Sequence, residues 1–182
     1  MAGAGLSFRF LVAGPRDDTK LQFIDMFARS VNSSVDRRVI STTVSVHTIK
    51  VRSSSGPSYE ANFIIINGGD PFDVRYETDA VLLCFNPTSR RSLQCIQSEW
   101  FPDVRQSYPK KPYLIVGLRW FDCEQTPIMG PVQVARERGT MDLPWELNNP
   151  PASFPYSECD IRVQEQVLVT VNRAISLAMH SR

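Results

Sequence analysis

The sequence predicts an α/β fold: a mostly parallel six-stranded sheet with helices on both faces and one antiparallel edge strand. Three observations predict it. Short, wholly apolar runs at 80–85 and 113–117 read as strands buried on both faces, as parallel strands are. Stretches with apolar residues three and four apart alternate with such runs, the pattern of strand–helix–strand units. Two further strand patterns flank the turn Ser53-Ser-Ser-Gly-Pro57, which makes them a hairpin and supplies the antiparallel strand.

Each element follows in order. Residues 6–13 form an apolar strand that runs into Gly14. Residues 20–30 carry Leu21, Ile24, Phe27 and Ala28 on one helical face. Residues 44–51 alternate as a strand, and 61–66 is its hairpin partner. After the buried strand at 80–85, residues 92–107 are helical in pattern, interrupted at Pro102. Another buried strand follows at 113–117, then a short helix at 132–138 stopped by Gly139. Residues 143–155 are rich in Pro and Asn and read as a loop, and 156–159 as a last short strand. Residues 163–179 close the chain as a helix, with Val167, Leu168, Val171, Ile175 and Ala178 on one face.

The 182 residues suit a single domain, 1–182, with a sizeable core, and no internal repeat stands out. A content of 42% hydrophobic and 21% charged residues excludes a disordered or collagen-like chain. The net charge of +1 gives no broad footprint for nucleic acid or an anionic membrane. The four cysteines, Cys84, Cys95, Cys123 and Cys159, include no C-x-x-C pair. Cys84 and Cys159 fall in or beside apolar runs, and all four read as free thiols of a reducing compartment. No segment reaches the roughly 20 apolar residues that span a bilayer. There is no secretory leader pattern at the N-terminus, and Ala-Met-His-Ser-Arg182 is neither a prenylation box nor a polybasic tail. The expected location is cytoplasmic, without a direct membrane anchor.

Phe10-Leu-Val-Ala-Gly-Pro-Arg-Asp-Asp-Thr-Lys-Leu21 reads as a dismantled phosphate-binding loop. Lys20 falls where a G-x-x-x-x-G-K-[ST] loop places its lysine. The second glycine is Thr19, and the Ser/Thr that holds magnesium is Leu21. Asp17 and Asp18 occupy the part of the loop where backbone N–H groups close around phosphates. They either fill the anion site themselves or cap the following helix, and both roles disfavour a nucleotide.

Further segments carry a resemblance. These are Thr78-Asp-Ala-Val-Leu-Leu-Cys-Phe-Asn-Pro-Thr-Ser-Arg-Arg-Ser-Leu93, Glu99-Trp-Phe-Pro-Asp-Val104, Tyr108-Pro-Lys-Lys-Pro-Tyr-Leu-Ile-Val-Gly117 and Tyr156-Ser-Glu-Cys159. With the element order, they resemble the small-GTPase G domain, and specifically its Rho family, over nearly the whole chain. The resemblance implies a set of nucleotide-handling motifs, and each is altered. The magnesium-linked carboxylate of D-x-x-G aligns with Ile66 in Ile66-Asn-Gly-Gly69, and the water-orienting glutamine with Asp70. The switch threonine aligns with Thr42 or Thr43. The base-reading [NT]-K-x-D is Leu118-Arg-Trp-Phe121, with Asp122 one place late, and the Ser-Ala that backs the base is Asp160-Ile161. The segment between Gly69 and Thr78 is shorter than the family's second switch, and the Rho insert helix has no counterpart between Asp122 and Val132.

The expectation is a Rho-like pseudo-GTPase: a non-catalytic interaction or scaffold module with no cofactor and no metal. Gly14, Lys20 and Asp122 are then vestiges of the nucleotide site, with Lys20 solvated. Candidates for blocking the pocket are Asp17, Asp18, Trp120 and Trp145. Trp145, in the loop Thr140-Met-Asp-Leu-Pro-Trp-Glu-Leu-Asn-Asn-Pro-Pro151, serves either as a partner anchor or as a cover for a sheet end or the vacated base site. The expected partners are proteins, either other domains of a longer parent chain or Rho-pathway regulators. They would bind the former switch face through Thr42, Thr43, Val44, Asp70, Phe72, Arg75 and Tyr76, because Rho proteins meet partners there. The alternative is an atypical small GTPase that binds nucleotide weakly through Lys20 and Asp122, with little magnesium dependence and very slow hydrolysis. His47, in an alternating strand, reads as exposed or hydrogen-bonded, and Arg37-Arg38 as a solvated pair.

Overall fold

A computed structural model describes residues 6–52, 57–68, 76–120, 129–144 and 151–181. One sheet organises them, with strands β1 (Leu6–Ala13), β2 (Val35–Val39), β3 (Val44–Val51), β4 (Tyr59–Ile66), β5 (Ala80–Phe85), β6 (Tyr113–Arg119), β7 (Thr140–Leu143) and β8 (Ala152–Asp160). The order across the sheet is β2-β3-β4-β1-β5-β6-β8-β7. The five strands β4, β1, β5, β6 and β8 run parallel. On one side β3 pairs antiparallel with β4 and β2 with β3, and on the other β7 pairs antiparallel with β8.

The expected six strands are therefore corrected to eight, with an extra antiparallel strand at each edge. The sequence around β2, Val35-Asp-Arg-Arg-Val39, is polar because an edge strand faces solvent, so it lacks the alternation of a half-buried strand. The segment around β7 reads as loop in the sequence because Pro and Asn follow it. Yet Met141 and Leu143 are buried and alternate with Asp142, which is a short strand's pattern. β8 starts at Ala152 rather than 156 and includes Pro155. Its first half, through Pro155, pairs only with β7, and its second half, from Tyr156, pairs with β6. Pro155 thus sits where the strand has one neighbour and a missing N–H is tolerated.

Among the described residues five helices accompany the sheet: α1 (Thr19–Ser30), α2 (Arg90–Cys95), α3 (Phe101–Ser107), α4 (Gly130–Arg138) and α5 (Gln164–His180). A π turn at Ile96–Trp100 joins α2 to α3 without a break, and Phe101 N–H reaches back to the Ile96 carbonyl. Pro102 follows directly. Its ring cannot accept the ordinary helical spacing, and the wider turn before it absorbs the misfit. The expected interruption is thus a bulge inside one helical stretch.

Side chains alternate between two packed layers, as strands require. Phe10, Val12, Phe63, Leu82, Leu114 and Val116 face α1 and α5. Leu11, Ile64, Val81, Leu83 and Ile115 face the helices of 90–107 and α4. Thr78 and Asp79 splice β1 to β5. The Thr78 hydroxyl accepts Leu11 N–H at 3.1 Å, and the Asp79 carboxylate accepts Arg9 N–H at 2.8 Å. Cys84, Cys95 and Cys159 are free thiols, and Cys123 lies outside the described residues. Burial pushes the thiols of Cys84 and Cys159 up to about 12, so both stay protonated, as inert core residues do. No described helix is long and apolar enough to cross a membrane.

Candidate functional site

β1 delivers the chain to Gly14 at φ 143°, against the end of β5. A Cβ at Gly14 would lie 2.0 Å from the Cys84 carbonyl oxygen, so the loop passes β5 only as glycine. Asp17 Oδ1 then accepts the Thr19 N–H at 3.0 Å and the Thr19 hydroxyl. The Asp18 carbonyl accepts Gln22 N–H at 3.1 Å, while its carboxylate makes no capping bond. Both carboxylates are exposed. Asp17 thereby satisfies one of the helix-start amides that would otherwise be available to an anion.

Lys20 is 1% exposed. Its ammonium donates to the Gly14 carbonyl at 3.1 Å and to the Pro15 carbonyl. The expected solvated lysine is thus corrected: Lys20 shares the inward stripe of α1 with Phe23, Ile24 and Phe27, so its stem is carried into the core. Burial lowers its pKa, and Asp17 is the strongest group pulling it back up.

The positions that would serve a magnesium ion carry no oxygen. Leu21 packs half-buried against the α1 layer, and Ile66 is fully buried at the end of β4. The aligned switch threonines lie in the four-residue turn between β2 and β3. Ser41 Oγ accepts the N–H groups of Thr43 at 3.3 Å and Val44 at 3.1 Å, and Asn67 N–H donates to the Thr43 carbonyl at 2.8 Å. Thr42 is exposed at the tip.

Val44 is buried in the opposite core layer, which corrects its expected place on a partner surface: β3 alternates, and Val44 is an inward position. Tyr76 is half-buried, with its N–H bonded to the Tyr108 hydroxyl at 2.8 Å, so it is largely committed to the fold. Asp70, Phe72 and Arg75 lie outside the described residues, as do Asp122 and Trp145.

At the base-reading end, Leu118 and Ile161 are buried, and Ile161 N–H donates to the Arg119 carbonyl at 3.1 Å. Arg119 lies where the family's motif has its lysine, 3.6 Å from Glu158. Glu158 accepts two hydrogen bonds from one guanidinium edge of Arg136, from Nε at 2.9 Å and Nη2 at 2.5 Å. Asp160 receives a two-pronged Arg162 contact at 2.9 and 2.7 Å, and this holds its carboxyl below the usual carboxylate range. Trp120, the residue after β6, is 38% exposed.

The arrangement therefore brings Gly14, Asp17, Asp18 and Lys20 together and leaves Thr42 about a separate turn. The residues present do not fit a magnesium–triphosphate group. Its lysine is bonded to its own loop, and two hard-oxygen positions are apolar. Among the described residues no His, Cys, Asp and Glu group has the geometry of a metal site.

No family model matches the chain. It is similar to Rho-related BTB domain-containing protein 1 of Homo sapiens, 30% identical over 117 residues, which covers 58% of this chain and 16% of that protein. It is 26% identical over 104 residues to Rho-related protein racE of Dictyostelium discoideum, covering 57% of this chain and 46% of the relative. Rho-related GTP-binding protein RhoD of Homo sapiens matches at 26% over 110 residues, covering 58% and 51%. The chain thus spans about a sixth of the BTB-containing relative and about half of the other two. This weak similarity, together with a mixed α/β sheet flanked by helices, supports a Rho-like G domain.

Proposed function

We propose that this chain is a Rho-like pseudo-GTPase, a protein-interaction module that neither binds nor hydrolyses GTP. The observation that carries the reading is the buried ammonium of Lys20, satisfied by the carbonyls of Gly14 and Pro15. A phosphate would find only one N–H of that ammonium left over from its own loop, and it would displace the Asp17 cap at Thr19 and do without the metal oxygens. The anchored turn at Ser41–Val44 adds to this, because a switch has to move its threonine when the nucleotide changes. The BTB-containing relatives favour a module that works within a larger protein assembly, with protein partners.

Purified chain should release no GDP or GTP on denaturation, as read by ion-exchange chromatography of the supernatant. GTP, GDP or ATP with magnesium should leave its melting temperature unchanged. Stoichiometric released guanine nucleotide, or a stabilisation approaching the ~2.7 kcal/mol expected at a hundred times Kd, would overturn the reading in favour of a weak, atypical GTPase.

A further inference from the structure

We infer that the chain pairs with a second copy of itself through β2, edge to edge and antiparallel. β2 is the terminal strand of the sheet, and among the described residues nothing pairs with its outer side. Four of its five residues are exposed, Val39 to 77%. Ile40 N–H donates to the Val44 carbonyl at 3.0 Å. With the register Arg38↔Val46 and Arg37↔His47, the alternation of an antiparallel ladder turns the backbone groups of Asp36 and Arg38 toward β3. Those of Val35, Arg37 and Val39 turn outward, as an unused template.

The strand is complementary to itself about Arg37. A two-fold axis there sets Val35 opposite Val39 of the second copy, and Asp36 opposite Arg38, each pair twice. Val35, Arg37 and Val39 have the outward backbone groups, so they form the hydrogen-bonded pairs. Asp36 and Arg38 become the close, non-hydrogen-bonded pairs, with Cα atoms about 4.5 Å apart, where opposite charges stabilise most.

Neither the Asp36 carboxylate nor the Arg38 guanidinium makes an ion pair or hydrogen bond among the described residues, so both charges are available. Arg37 meets its own symmetry mate, but its guanidinium is already paired with Asp25 of α1. The apolar pairs lie on the α1 face with Arg37, and the two ion pairs lie on the other face. A shift of the register by two residues in either direction loses both charge matches. The partner is therefore a second copy of this chain, and the product is one continuous sheet across both.

Sedimentation equilibrium of the 182-residue chain over rising concentration tests this. The expected result is a shift from 20.6 kDa toward twice that mass. Asp36→Arg alone and Arg38→Asp alone should each weaken self-association more than about tenfold, because like charges then face each other twice. An equimolar mixture of the two single variants should dimerise again, since every position once more meets its opposite charge. The double variant Asp36→Arg/Arg38→Asp should dimerise by itself. Circular dichroism melts check that each variant is folded, and both sites are exposed. A chain that stays at 20.6 kDa at every concentration overturns the proposal. So does a dimer indifferent to both single reversals, or a mixture that fails to reassociate.

Discussion

Two glycines show how a residue's surroundings decide the cost of a methyl group. Gly14→Ala places Cβ 2.0 Å from a backbone oxygen that cannot move without β5, at a φ of 143°. Strain and overlap add, so a loss of at least about 3 kcal/mol is expected in urea unfolding. Gly139→Ala, at φ 69°, meets nothing closer than an Arg173 nitrogen at 3.8 Å. Its cost is conformational only, about 1–2 kcal/mol. Equal losses at the two sites would show that the Cys84 carbonyl yields.

His47 gives a pH dependence of known sign. It is 3% exposed, its Nε2 bonds Ser45 at 2.9 Å, and its Nδ1 is buried without a partner. Burial, and then Arg37, lower its pKa below 6.5, while Asp25 raises it. Below pH 6.5 the unfolded chain takes up a proton that the folded chain resists. The stability is present above pH 6.5 and is lost as pH falls toward the folded value, at no more than about 1.4 kcal/mol per pH unit. Denaturant melts at pH 5 to 8 should fall more steeply for the native chain than for His47→Gln, and parallel curves would sink the assignment.

At the scale of elements, legibility followed burial. Four of the five parallel strands were readable because each is apolar on both faces or alternates, β8 only in its second half, and α1 and α5 were readable because their stripes are continuous. β2 was not, because its order comes from pairing with β3 rather than from any apolar pattern of its own. The π turn was half legible: Pro102 announced a disturbance, but only the Phe101–Ile96 bond shows that the helix widens instead of stopping.

In the candidate site, the altered oxygens at Leu21 and Ile66 were plain from alignment. The burial of Lys20 was not, because a lysine within an apolar stripe reads as surface until its carbonyl partners are seen. The anchored turn before β3 has its own test. Ser41→Ala removes the acceptor of the Thr43 and Val44 N–H groups. It should cost about 1 kcal/mol and speed hydrogen exchange at those two amides. Unchanged exchange would mean that pairing with β3 alone fixes the turn.

The whole molecule is two helix layers hung on the same strands, and this decides how it unfolds. Phe63 belongs to the layer of α1 and α5, and Phe101 to the layer of the 90–107 helices and α4. β1, β5 and β6 supply side chains to both layers, residue by residue: Phe10 and Val12 face one way, Leu11 and Ala13 the other. Losing one layer exposes one face of a parallel sheet whose strands are apolar on both, which no such sheet tolerates. Neither layer therefore has a stable state without the other. Phe63→Ala and Phe101→Ala should each cost about 3–5 kcal/mol. Both should lower one shared transition, with far-UV circular dichroism and tryptophan fluorescence coincident. A variant in which the two probes separate, one layer melting while the other holds, would show that the sheet does not couple them.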